Sequence, residues 1–92
     1  MRREEFSTQE VPNEPGVYVF RNSSGKVIYV GKAKSLRKRL ASYFQPSRLR
    51  SADPKLRSLI KSIAQYELHP VKSESEALLL EYNLIKRHRP RF

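Results

Sequence analysis

The sequence has 92 residues, the length of one small domain with one modest core. It contains no cysteine, which excludes disulfides, thiolate metal sites and a cysteine nucleophile. Nineteen Lys and Arg against nine Asp and Glu leave a net charge of +10, the balance of a domain that meets a polyanion.

No apolar run approaches the ~20 residues that span a membrane. The start, MRREEFSTQEVP, has no apolar stretch behind its basic residues, so no secretory signal is expected and a cytoplasmic setting is. Residues 1–92 are expected to form a single domain, with 1–11 as a flexible lead-in. Pro15 then holds Glu14 extended and leads into the first strand.

Residues 17–21, VYVFR, are β-branched and aromatic, as are 26–30, KVIYV. NSSG between them is a turn cluster, which predicts an antiparallel hairpin. Pairing Arg21 with Lys26 sets Tyr18 opposite Tyr29. The period of two then puts Tyr18, Phe20 and Tyr29 on one face. Val17, Val19, Ile28 and Val30 take the other, which reads as the main core face.

Ser35 is an N-cap for a helix LRKRLASYF, with Leu36, Leu40, Tyr43 and Phe44 on its inner stripe. Arg37 and Lys38 point outward, and Arg39 borders the packed side. Residues 45–53 read as a polar loop. Asp53 caps a further helix with Pro54 at its first position and Leu56, Leu59, Ile60 and Ile63 facing inward. Residues 65–71 read as an edge strand, because Pro70 cannot donate within a sheet. Ser73 and Glu76 form a capping box for a last helix over about 74–87. The expected class is α+β: a small three-stranded antiparallel sheet flanked by helices, in the order β-β-α-α-β-α.

Glu81 is the most telling acid. Ala77, Leu78, Leu84 and Ile85, its helical neighbours, are all apolar. A carboxylate in that setting is a metal ligand, a member of an internal ion pair, or an edge residue whose tip reaches water. As a ligand it suits one hard cation completed by water and phosphate oxygens. His69 and His88 read as surface residues.

Tyr18, Tyr29 and Tyr43 are either packing residues or parts of a site, with Lys32 and Arg39 near them. A cation beside a phenol favours phenolate, and offsets charge building on a phosphoryl group. Lys34, Arg37, Lys38, Arg48 and Arg50 are phosphate-contact candidates. Three classes therefore stay open: a nuclease, a nucleic-acid-binding module, and a basic interaction domain unrelated to nucleic acid.

Gly16-Val17-Tyr18 and, ten residues later, Tyr29-Val30-Gly31 resemble the signature of the GIY-YIG nuclease family. The longer stretches EPGVYVFR, IYVGKAKSLRKRLASYF and EALLLEYNLIKRHRP resemble its UvrC-type branch over nearly all of 12–92, with Cho-type repair nucleases as the rival. Valines at 17 and 30 replace the usual isoleucines and keep strand character.

The resemblance implies a DNA endonuclease that uses one divalent cation, Mg²⁺ or Mn²⁺, and cuts on the 3′ side of a lesion. It implies Glu81 as metal ligand, Tyr29 as general base, and Lys32 as the lysine that lowers its pKa. Arg39 then steadies the scissile phosphate or leaving group, and Tyr18 and Tyr43 position water or phosphate. It also implies UvrB, with UvrA-dependent damage recognition, as partners bound through regions outside this chain. The family's further active-site asparagine would follow Phe92. The chain is therefore expected to be a monomeric piece of a longer protein, weakly active or inactive alone.

Overall fold

A computed structural model describes residues 10–92. Strands β1 (Gly16–Arg21), β2 (Val27–Ala33) and β3 (Gln65–Pro70) form one antiparallel sheet in the order β2-β1-β3. Helices α1 (Leu36–Tyr43), α2 (Pro46–Ser51), α3 (Pro54–Ser62) and α4 (Glu74–His88) complete the chain. The expected class and order hold, and β3 is an edge strand as Pro70 requires. Residues 1–9 of the expected lead-in lie outside the described residues. Val11, its last residue, is fully buried.

The hairpin register differs from the expected one. Tyr18 pairs with Gly31 and Phe20 with Tyr29, so Tyr18 does not lie opposite Tyr29. Two single-residue shifts add up. Asn22 joins the pairing through its N–H to the Lys26 carbonyl at 3.0 Å, leaving a three-residue loop. A bulge between Phe20 and Arg21 then leaves Ile28 without a pairing partner. A slip of two restores the faces beyond the bulge, so Tyr18, Phe20 and Tyr29 still share one.

That aromatic face carries the larger core, which corrects the assignment of the main core to the valines. Tyr18, Phe20, Leu36, Leu40, Tyr43, Phe44, Leu59, Ile60 and Ile63 are all buried there under α1 and α3. Ile28 joins them instead of the valines, because the bulge turns two consecutive β2 side chains the same way. Val17, Val19, Val27 and Val30 form a smaller cluster under Ala77, Leu80 and Leu84 of α4. The two faces of the sheet are thus covered by different helices.

Caps fix the helix ends. Ser35 accepts from the Lys38 N–H, Asp53 from Leu56 and Ser73 from Glu76. Glu76 reaches back to the Lys72 N–H at 2.9 Å, one residue before the partner of an ordinary capping box. The expected loop at 45–53 holds the six-residue α2. It begins on Pro46 and has no side-chain cap, and its polar sequence lacks an apolar period.

Gly31 is fixed by the aromatic face. A Cβ there would collide with Cζ and the hydroxyl of Tyr18 and lie 2.9 Å from Cε2 of Tyr29. Gly31→Ala is expected to cost about 1–3 kcal/mol, as overpacked sites do. Urea or thermal melts measure it, and an unchanged midpoint would mean that the Tyr18 ring moves aside freely.

Candidate nuclease site at the edge of β2

Because β2 is an edge strand with α1 over one face and α4 over the other, side chains from both helices meet around that edge. The tyrosines come from the aromatic face. Tyr18 and Tyr43 are buried, with their hydroxyls 2.9 Å apart. The Tyr29 ring lies 6.0 Å from Tyr18 and 6.1 Å from Phe20, and Tyr29 is half-buried. Of the three phenols, Tyr29 is the one that solvent reaches most readily.

Burial pushes the pKa of Tyr18 far up, assisted by its hydrogen bond to Tyr43 and the charges of Tyr43 and Tyr29; Arg39 opposes the shift. Burial also raises Tyr29, followed by the charge and hydrogen bond of Tyr43, while a hydrogen bond with Tyr18 lowers it. The last influence raising Tyr29 is the charge of Glu81. The carboxylate of α4 and the guanidinium of α1 therefore both act on the same cluster of phenols. Arg39 and Tyr43 are four residues apart on α1, the spacing that makes helical side chains neighbours.

Glu81 is half-buried and, among the described residues, makes no hydrogen bond or ion pair. Its apolar setting divides. Ala77 and Leu84 pack on the valines, whereas Leu78 and Ile85 are 57% and 41% exposed. Glu81 is an edge residue, not an acid sunk in an apolar face. Among the described residues no three His, Cys, Asp or Glu side chains converge. One carboxylate with free lone pairs, whose charge reaches Tyr29, fits a hard cation that keeps most of its water.

Lys32 leaves β2 three residues after Tyr29, towards α4, and is not among the charges that shift Tyr29. The net shift of Tyr29 runs upward, led by burial. Lys32 instead lines an open groove of about 1040 Å³ with Lys34, Lys38 and Arg39, between α1 and the start of α4.

Ser42 and Glu74 also line this groove and were not singled out from the sequence. Ser42 lies three residues after Arg39 and its hydroxyl donates to the Arg39 carbonyl at 2.7 Å, a helical spacing that could have flagged it. Glu74 faces Lys34 at 4.0 Å, both well exposed, so that pair contributes little.

The other basic candidates lie outside the groove. Arg37 is exposed, as its outward placement on the helix predicts, and also donates from Nε to the Val11 carbonyl at 2.8 Å. Arg48 and Arg50 are exposed on α2. His69 is part-buried and bonded to Glu67 at 2.6 Å, so it is a partner of that acid and not a free surface residue. The bond to His69 is the main cause holding the Glu67 carboxyl below its ordinary pKa.

The described helices include none long and apolar enough to cross a membrane. Residues 14–92 match the model of the UvrC-like GIY-YIG domain. UvrABC system protein C of Clostridium novyi (strain NT) is 49% identical over 88 residues, 96% of this chain and 14% of its own length. The Oleidesulfovibrio alaskensis protein of that name is 50% identical over 82 residues, 89% of this chain and 11% of its own length. The chain thus spans a small fraction of the curated relatives it matches.

Among solved structures, the GIY-YIG N-terminal endonuclease domain of UvrC from Thermotoga maritima superposes with a TM-score of 0.78. It is a point mutant bound to the catalytic divalent cation, with 39% identity over 97% of this chain and 90% of that one. The same domain bound to its catalytic cation magnesium gives 0.76, with 42% identity over 91% and 88% of the two chains. With the strand order, the clustered tyrosines and the acid of the last helix in place, the match over residues 14–92 makes this chain a member of the UvrC-like GIY-YIG domain family.

Proposed function

We propose that this domain is a divalent-cation-dependent DNA endonuclease that makes the 3′-side incision of bacterial nucleotide excision repair in the cytoplasm. UvrB, with UvrA-dependent damage recognition, is its partner through regions outside this chain. The observation that carries the reading is the meeting of three separated stretches. The charge of Arg39 in α1 bears on Tyr18 and that of Glu81 in α4 on Tyr29, and the two rings lie 6.0 Å apart. The magnesium-bound relative supports the choice of cation.

In this mechanism Glu81 holds the cation, which when bound supplies Lewis-acid stabilisation of the phosphoryl oxygens. Arg39 faces the scissile phosphate and offsets the negative charge that grows during attack. Lys32, Lys34 and Lys38 hold neighbouring phosphates along the groove. Tyr29 takes the proton of the attacking water. Tyr18 and Tyr43, joined hydroxyl to hydroxyl, fix the tyrosine cluster in one arrangement.

The test is nicking of a lesion-bearing duplex by the protein with UvrB. Nicking is expected with Mg²⁺ and is expected to vanish on chelation; persistence in chelator would refute a metal-dependent site. The base assignment has its own measurement. The deprotonated fraction of Tyr29 grows with pH, and its pKa is displaced upward, so the rate should still be climbing on the alkaline side of neutrality. Tyr29→Phe should remove that climb, and a near-normal rate with the same pH profile would remove Tyr29 as the base.

A further inference from the structure

A second basic groove lies at the opposite end of β2 from Lys32. It has a volume of about 650 Å³ and carries Lys26, Lys61 and Arg91, with Asn22, Ser23 and Ser62 beside them. Among the described residues no carboxylate lines it, in contrast to the first groove, where Glu74 faces Lys34. All three cations are exposed, and among the described residues none forms an ion pair.

Its parts are held in place. The Phe92 N–H bonds the Ile28 carbonyl at 3.1 Å, which brings the last residues against β2. The guanidinium of Arg91 lies 5.4 Å over the Phe92 ring, so its direction is set by a cation–π contact. Asn22 Oδ1 accepts from the Ser24 and Lys26 N–H groups and shapes the turn that carries Lys26. Two ammonium groups, a guanidinium, hydroxyls and an amide form the donor set that phosphate oxygens require.

Position along the strand gives the groove its meaning. Lys26 precedes Tyr29 by three residues, and Lys32 follows it by three. Tyr29 therefore lies between the two basic groups along the chain of the hairpin's second arm.

Resting on the proposed DNA-cutting function, we infer that Lys26, Lys61 and Arg91 form a second phosphate-binding subsite. It grips the DNA backbone away from the bond that is cut, at the end of β2 opposite Lys32 and Lys34. The two grooves hold the DNA on either side of Tyr29 and fix which linkage reaches Glu81. These contacts read no sequence and act through position and affinity alone.

The test uses the whole chain and a fluorescent DNA duplex, with affinity followed by anisotropy over a range of salt concentrations. The combined variant Lys26→Gln, Lys61→Gln, Arg91→Gln should lower the slope of log affinity against log salt by about two to three, near 0.9 for each lost contact. A thermal melt confirms that the variant is folded. A steep wild-type slope that the variant leaves unchanged overturns the subsite and spares the nuclease reading. A wild-type slope near zero overturns both.

A second arm tests position. Uncharged methylphosphonate linkages, scanned one at a time along the strand on both sides of the nicked bond, should include at least one that weakens binding of the wild type and leaves the variant unaffected. Equal sensitivity of the two proteins also overturns the proposal.

Discussion

Glu81→Gln is expected to reduce Mg²⁺-dependent nicking by at least about 10²-fold, while leaving the salt-dependent affinity for DNA near that of the wild type. The substitution keeps the shape of the side chain and removes its charge. Glu81 has no hydrogen bond or ion pair to lose among the described residues, so the fold should be indifferent to the change. Its half-burial at the edge of α4 means that no packed core is disturbed. A cation held by Glu81, in contrast, would lose a charged protein ligand. The loss should therefore be partly reversed by raising Mg²⁺, which compensates for weaker binding by mass action. Equal nicking by both proteins at limiting Mg²⁺ would remove the metal role of Glu81. Loss of DNA affinity along with nicking would show that the residue serves the fold or the DNA surface instead.

The elements of this domain were legible because their punctuation is strong. Ser35, Asp53 and Ser73 each sit where a cap is needed, and each accepts the expected N–H. Pro70 marked β3 as an edge strand. The hairpin register was not legible. Alternation of side chains fixes a face but is blind to a slip of two residues, and that was the size of the error. One residue came from Asn22 joining the ladder, the other from the bulge at Ile28, which no glycine or proline announces.

Glu81 was picked out for a reason only half right. Its neighbours are apolar, but α4 lies on the sheet through a narrow stripe of Ala77, Leu80 and Leu84, leaving Leu78, Leu79, Tyr82 and Ile85 in solvent. What sets the residue apart is an unpaired carboxylate facing a phenol across the edge of β2, a relation between distant stretches that helical spacing alone does not carry. Lys32 shows the same limit. Three positions after Tyr29 in a strand, it falls on the other side of the sheet, and it lines the groove between α1 and α4.

Arg39→Ala is expected to lower nicking by about 10²–10³-fold, the range seen when a positioned group that offsets transition-state charge is removed. Arg39 lies on the exposed side of α1, four residues before buried Tyr43 and next to buried Leu40, so its guanidinium is placed by a helix anchored in the larger core. Alanine is a strong helix former, and the change removes no buried contact, so stability should move by less than about 0.5 kcal/mol. The binding consequence is smaller than the catalytic one. Arg39 is one of four cations lining its groove, and removing one should lower the salt slope of DNA affinity by about 0.9. A general loss of charge would weaken binding and cutting together, whereas a group aimed at the reacting phosphate lowers the single-turnover rate with DNA saturating. Arg39→Lys separates charge from shape: an ammonium keeps the charge but lacks the planar fork, so recovery should be partial. Full recovery by lysine would assign Arg39 to general electrostatics, and an unchanged saturating rate in Arg39→Ala would take it out of the reacting site.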